Sequence, residues 1–183
     1  ASTNDVDLKR AILRSFTSAN ARDRLFAVAR SEKSADLRMV AVQQLGAVRG
    51  STELEELYRS EQDKNVKQRI LQSFIAANAA DKLAAIARTE KDPELQAQAI
   101  RNLGAMGRPE AADTLRNVYQ SDSPVETKKA VIAALSMNQQ NAAVLVALAK
   151  AEKNPELKTE IVRRLSTMRS QEARDYMLER RQF

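Results

Sequence analysis

Basic residues recur at corresponding places along the chain, and they are the side chains best suited to bind another molecule. Their series is Arg30, Arg59, Arg88 and Lys150, with Gln120 between the last two. Acids follow two residues later, at Glu32, Glu61, Glu90, Asp122 and Glu152. A strip of bases can bind phosphate groups or an acidic peptide, but acids this close would repel a polyanion. The spacing therefore favours structural ion pairing, and partner binding by the four bases is the alternative.

Two tyrosines, Tyr58 and Tyr119, occupy corresponding positions one residue before Arg59 and Gln120. They either fill space left by Gly46 and Gly104 in the core or lie exposed, where Tyr would suit an interface. Both alternatives stay open. With Arg30, Arg59, Arg88 and Lys150, the tyrosines form our predicted partner-binding set.

Side chains that perform catalysis or bind metals are scarce. The chain has no Cys and no His, which excludes disulfides, thiolate catalysis, Cys-bound zinc and a Ser–His–Asp triad. Its four glycines are scattered and form no phosphate-binding loop. We expect neither enzymatic activity nor a cofactor or metal.

The overall charge is modestly positive. A net charge of +6 arises from 30 Lys and Arg among 24 Asp and Glu, well mixed along the sequence. This balance permits an acidic partner without requiring one. The longest apolar run, "AAVLVALA" at residues 142–149, is too short to cross a bilayer. We expect no membrane insertion, and the compartment is unknown. The opening "ASTNDVD" lacks Met and a leader, which indicates a piece of a longer protein.

The recurring bases, acids and tyrosines belong to a sequence repeat of about 30 residues. The line "ILRSFTSANARDRLFAVARSEK" at 12–33 nearly recurs as "ILQSFIAANAADKLAAIARTEK" at 70–91. An anchor residue recurs throughout the chain, at Leu8, Leu37, Val66, Leu95, Thr127 and Leu157. Apolar residues four, five and eight places later complete one stripe of an α-helix, which we name helix A. A base follows most anchors (Lys9, Arg38, Lys67, Lys128 and Lys158) and is predicted to lie in an exposed ladder with acids just before the anchors.

A second apolar stripe follows in every unit and predicts helix B. Its leading residues are Leu25, Leu54, Leu83, Leu115, Leu145 and Met177. The residue three places further is apolar in five units but is Arg180 in the last. Residues that favour helix N-caps precede helix A, at Asp5, Ser34, Asp63, Asp92, Ser123 and Asn154, and Pro follows the last three. The chain is therefore predicted to be all-α, with six helical hairpins at 5–33, 34–62, 63–91, 92–122, 123–153 and 154–183.

The line "DPELQAQAIRNLGAMGRPEAADTL" at 92–115 resembles short HEAT-like repeats of the bilin-lyase type, and the resemblance covers essentially the whole chain. It implies a single domain, an α-solenoid in which six stacked antiparallel hairpins form a right-handed superhelix. It also implies that the B helices line the concave face and that the usual role is scaffolding or partner binding.

The leading hypothesis is a non-enzymatic scaffold that binds a protein or peptide through this curved surface. One alternative is nucleic-acid binding, as in HEAT-like DNA glycosylases, although the chain has no Trp and intersperses its acids. Another is handling of a chromophore or cofactor, because bilin lyases contain similar repeats. Arg180 suggests that residues 170–183 form a polar C-terminal cap. The first hairpin is as apolar as the third, so we expect it to expose apolar surface and to support weak self-association.

Overall fold

The computed structural model describes the backbone of residues 3–180 and the side chains of residues 5–180. In this range the chain forms twelve α-helices, one 3₁₀ turn at Gln139–Asn141 and no strand, and the chain is 82% helical. The six hairpins, each an A helix followed by a B helix, are α1 (Thr3–Ser18) and α2 (Arg22–Ser31), α3 (Ala35–Ala47) and α4 (Ser51–Ser60), α5 (Lys64–Ala76) and α6 (Ala80–Thr89), α7 (Pro93–Met106) and α8 (Pro109–Gln120), α9 (Val125–Ser136) and α10 (Ala142–Ala151), and α11 (Pro155–Thr167) and α12 (Gln171–Glu179). The prediction of an all-α helical repeat fold is confirmed.

The chain divides into two compact units, one ending at Leu83 and the other beginning at Ala84. In the first unit α1, α3 and α5 pack side by side, and α2 and α4 cover them. The second unit has the same plan, with α7, α9 and α11 in one layer and α8, α10 and α12 in the other. The predicted repeat limits and the single domain stay predictions.

Side-chain caps begin four of the A helices as the sequence predicts. Ser34, Asp63, Asp92 and Asn154 each accept a hydrogen bond from a backbone N–H of the first helical turn. The other two predicted caps are wrong. Helix α1 begins at Thr3, which places Asp5 inside its first turn. Pro124, not Ser123, precedes α9, and the Ser123 hydroxyl donates instead to the Val118 carbonyl.

The repeated apolar stripes form the core. The anchors Leu37, Val66, Leu95, Thr127 and Leu157 are buried, and so are the leading B-helix residues from Leu25 to Leu145. In α12 the predicted register is wrong by one turn. Ala173 and Tyr176 are buried there, whereas Met177 is half-buried and Arg180 is exposed. Tyr176, not Arg180, therefore fills the slot that Val, Leu or Ile fills elsewhere, so the helix supports no cap argument based on Arg180.

Glycines allow two pairs of A helices to approach closely. A Cβ atom added to Gly46 would lie 2.9 Å from the Ser73 carbonyl oxygen, between α3 and α5. One added to Gly104 would lie 2.7 Å from the Ala134 carbonyl oxygen, between α7 and α9. The glycines thus face the next A helix and leave no gap for the tyrosines, so the predicted Gly–Tyr packing is not the reason for tyrosine burial.

The turns between A and B helices repeat as well. Asn20, Arg49 and Asn78 adopt left-handed backbone conformations at corresponding positions, with φ of 51°, 56° and 60°. The next N–H reaches back to a carbonyl near the end of helix A, as in Gly50 to Leu45 at 2.8 Å. Asn tolerates this conformation, whereas Arg is an unusual residue for it. These turns set the reversal that places each B helix on its A helix.

Candidate surface for partner binding

The four predicted bases lie in the last turns of their B helices. Arg30, Arg59, Arg88 and Lys150 are all exposed. A cation at this position favours the negative end of the helix dipole. Their placement on the B-helix layer of their units agrees with the sequence prediction, and whether they bind a partner stays a prediction.

Three of these bases already have carboxylate partners. The Arg30 guanidinium contacts Glu56 of α4 at 3.3 Å, and the Lys150 ammonium contacts Glu179 of α12 at 3.2 Å. Arg59 pairs with Glu55 in its own helix, and Glu55 also binds Lys82 at 2.6 Å. Exposed pairs of this kind contribute about 0–1 kcal/mol each, so a partner can replace them at small cost. In the described part of the chain Arg88 forms no ion pair.

The acids two residues after the bases hold the links between hairpins. Glu61 accepts the N–H groups of Gln62 and Asp63 at 2.8 and 2.9 Å, and Glu90 and Glu152 repeat this arrangement. Glu32 accepts from the Ser34 N–H, and that bond, with the Lys9 ammonium, holds the pKa of Glu32 below its usual value despite the opposing effect of burial. These carboxylates are therefore structural, and Asp122 does not share the arrangement.

The bases after the anchors do not form the predicted surface ladder. Lys9 pairs with Glu32 at 3.4 Å, and Arg38 pairs with Glu61 at 3.0 Å in a half-buried setting. These two bases therefore bind the acids that close their own hairpins, at the opposite end of the repeat from the acids predicted to flank them. This link fixes the start of helix A to the end of helix B.

Both predicted tyrosines are buried, with exposures of 7% for Tyr58 and 4% for Tyr119. The ammonium groups of Lys67 and Lys128 lie 5.2 and 5.6 Å from the two ring centroids. The Tyr119 hydroxyl also donates to Glu152. Burial, and then the Glu152 carboxylate, raise the pKa of Tyr119 well above its usual value. The alternative in which the tyrosines are exposed is wrong, because each ring packs under the base of the next A helix.

The A helices of the second unit form a groove that the sequence did not reveal. Its volume is about 480 Å³, and small residues of α7 and α9 (Ala97, Thr127 and Ala130) line it beside Glu160 and Arg164 of α11. Ion pairs surround it: Lys129 binds Glu126 at 2.9 Å and Glu156 at 2.6 Å, and the neighbouring Arg163 and Arg164 bind Glu160. The two carboxylates raise the pKa of Lys129 above its usual value. The charges around this groove therefore balance each other.

The first hairpin exposes apolar side chains that are buried in the other hairpins. Leu8 is 60% exposed and Ile12 is 41% exposed, whereas their counterparts in the third hairpin, Val66 and Ile70, are buried. A small cavity of about 160 Å³ opens here between Ile12, Phe16 and Val28. The sequence predicted this exposure from the apolar character of the first hairpin.

Two further properties concern the described residues only. No group of three or more Asp and Glu residues in this range is arranged to hold a metal ion. None of the helices in this range is both long enough and apolar enough to span a bilayer.

Helix pairs repeat along the chain, each with buried apolar stripes, and a carboxylate recurs at the links between pairs. These features define an all-α helical repeat protein. A family model described as HEAT repeats matches residues 80–144, from the start of α6 into α10. This match confirms the resemblance to HEAT-like helical repeats over residues 80–144. No curated protein matches the chain.

Proposed function

We propose that the chain is a non-enzymatic scaffold that binds a protein or peptide partner through the exposed side of its B helices. HEAT repeats commonly mediate interactions between proteins. The observation that carries the proposal is the series Arg30, Arg59, Arg88 and Lys150, in which every member is exposed at a corresponding place. A partner with carboxylates at matching intervals can contact two of these bases within each unit and displace their weak internal pairs.

Charge reversal of the series tests this function. Proteins enriched by the immobilised chain from the lysate of its source organism would be identified, purified and titrated calorimetrically against the chain. The Arg30→Glu, Arg59→Glu double variant should weaken binding by roughly tenfold or more. The matched control is Arg14→Glu, Arg101→Glu, which reverses two exposed bases on A helices. Equal losses in both variants would contradict a specific role for the B-helix surface.

Nucleic-acid binding gives a different result in the same system. A protein that contacts phosphates through several bases loses affinity steeply as salt rises. Tight binding to duplex DNA with that salt dependence, lost in the Arg30→Glu, Arg59→Glu variant, would replace the protein-scaffold proposal.

A second candidate function, weak self-association, is favoured by the exposed Leu8 and Ile12. Covering them would remove apolar surface from water. Light scattering at increasing concentration should show a mass increase that Ile12→Lys abolishes. Met137→Lys is the control, since Met137 is 58% exposed elsewhere in the chain. An unchanged monomer mass for the unaltered chain at all concentrations would remove this candidate.

A further inference from the structure

Helix α10 is more apolar on its exposed side than α4 and α8. Its sequence is AAVLVALAKA, which includes the apolar run seen in the sequence. Leu145, Leu148 and Ala149 point into the core, while Ala143 and Ala147 are exposed and Val144 and Val146 are half-buried. We name these last four residues the α10 face. At the places corresponding to Ala143 and Ala147, α4 has Thr52 and Glu56, and α8 has Asp113 and Asn117. Helix α10 thus exposes apolar side chains over two turns where α4 and α8 expose polar ones.

The helices on either side are fixed beside this face. Helix α12 packs against α10, and the pair of Lys150 with Glu179 shows which side of α12 faces α10. On the other side, the Tyr119 hydroxyl ties the end of α8 to Glu152, just after α10. The α10 face therefore lies in the B-helix layer between α12 and the end of α8, and we call it the floor of this surface.

The α12 side of the floor is acidic. Asp175 and Glu172 lie one and two turns before Glu179, and the spacing of four and three residues places them on the same side of α12. Both are exposed, and within the described range neither forms an ion pair, although Asp175 accepts a hydrogen bond from the Gln171 amide at 2.7 Å. On the α8 side, Arg116 pairs with Asp113 at 3.0 Å, so that side is neutral.

We propose that the α10 face binds an amphipathic helix of a partner protein, with the apolar stripe of that helix on the alanines and valines and with Lys or Arg on the flank toward α12. The proposal rests on the proposed scaffold function and names its partner class. An amphipathic helix is a common ligand of an apolar surface formed by helices. The small floor residues allow close approach, and the unpaired carboxylates select a basic flank over an acidic one.

Two synthetic peptides test the proposal. Each is a fluorescein-labelled amphipathic helix with the same Leu and Ala stripe, and one carries Lys on a single flank where the other carries Glu. Fluorescence anisotropy should show the Lys peptide binding the full chain roughly tenfold more tightly than the Glu peptide. The Glu172→Lys, Asp175→Lys double variant should reverse that preference.

A charged residue introduced on the floor distinguishes binding at this surface from binding elsewhere on the chain. Ala147→Glu should weaken the Lys peptide by roughly tenfold or more, because the charge would be buried under the apolar stripe. Ala105→Glu, at an exposed position of α7, should leave affinity unchanged, and circular dichroism checks that both variants fold. Binding that Ala147→Glu leaves intact, or equal binding of both peptides, overturns the inference but not the scaffold function. Failure of both peptides to bind also overturns it, while the charge-reversal titration decides the scaffold function separately.

Discussion

Replacing Gly104 by Ala is expected to destabilise the second unit, although Ala is the better helix former. The added Cβ would lie 2.7 Å from the Ala134 carbonyl oxygen and 2.9 Å from the Ala134 Cα and Cβ atoms. All three atoms belong to the backbone or to a Cβ, so no flexible side chain can turn away. The two helices α7 and α9 must therefore separate.

The steric contact and the helix propensity predict changes of opposite sign in the free energy of unfolding. Ordinary contact begins near 3.4 Å, so the helices must move apart by about 0.7 Å and loosen the core between them, at about 1–3 kcal/mol. A Gly to Ala change inside a helix contributes about 1 kcal/mol in the favourable direction. Because the closest atom is backbone, we place the contact cost at the upper end and expect a net loss of about 2 kcal/mol. For a chain of this size the melting temperature should fall by about 4–8 °C.

Thermal and urea unfolding followed by circular dichroism measure this change. Gly46→Ala should also lower stability but by less, since its added Cβ would lie 2.9 Å from the nearest atom, the Ser73 carbonyl oxygen. Adding Ala134→Gly to the Gly104 variant should restore little stability, because the backbone oxygen remains. A melting temperature raised by Gly104→Ala would refute the reasoning and show that α7 and α9 have room to spare.

Four other predictions concern side chains at the turns and in the core. Arg49→Gly should stabilise the chain by about 0.5–1 kcal/mol in urea unfolding, since Gly adopts the left-handed φ of 56° freely; a loss of stability would mean that the Arg side chain contributes there. Phe74→Ala should lower the free energy of unfolding by about 3–5 kcal/mol because Phe74 is fully buried, whereas Lys91→Ala at an exposed position should lower it by less than about 0.5. Similar losses for both variants would mean that Phe74 does not lie in the core. Tyr119→Phe should cost about 1–2 kcal/mol by leaving Glu152 without its hydroxyl donor, and an unchanged melting temperature would show that the bond contributes nothing. Burial raises the pKa of Glu152, but hydrogen bonds from Tyr119 and from two backbone N–H groups outweigh that effect and hold the pKa below 4.5. The unaltered chain should therefore be more stable than Glu152→Gln by a margin that is full above pH 4.5 and shrinks as the pH falls through the lowered pKa. A margin independent of pH would contradict this.

The helical periodicity made the fold predictable from sequence. Apolar residues at helical spacing define a buried stripe without knowledge of its neighbours, and Asp63 or Asn154 caps a helix through a local bond. In α12 the same reasoning failed because Ala173 fills a slot that Leu fills elsewhere, and Met177 and Arg180 offered a false register one turn away. An alanine at a core position carries too little signal to fix a short helix.

The surface was less predictable than the core. Exposure of the four bases follows from their place in the last helical turn, which is local. Burial of Tyr58 and Tyr119 depends on Lys67 and Lys128 in the next hairpin, and a single repeat does not contain that information. The structural role of Glu61 is predictable from the sequence, because an acid two residues before a capping Asp recurs at Glu90.

The glycine contacts also bear on how such an array could be lengthened or shortened. Sequence identity is highest between the first and third hairpins, which suggests cutting the chain before an odd-numbered hairpin. Gly46 and Gly104, however, belong to even-numbered hairpins and fit against small residues of the odd-numbered hairpins that follow. A segment that begins at an even-numbered hairpin, such as residues 34–91, contains both halves of one close contact. Duplicating or deleting that segment keeps each glycine beside its present partner. A cut before an odd-numbered hairpin separates glycine and partner, and the array tolerates it only because Ser15, Ser73 and Ala134, at the corresponding places of the odd-numbered A helices, are all small.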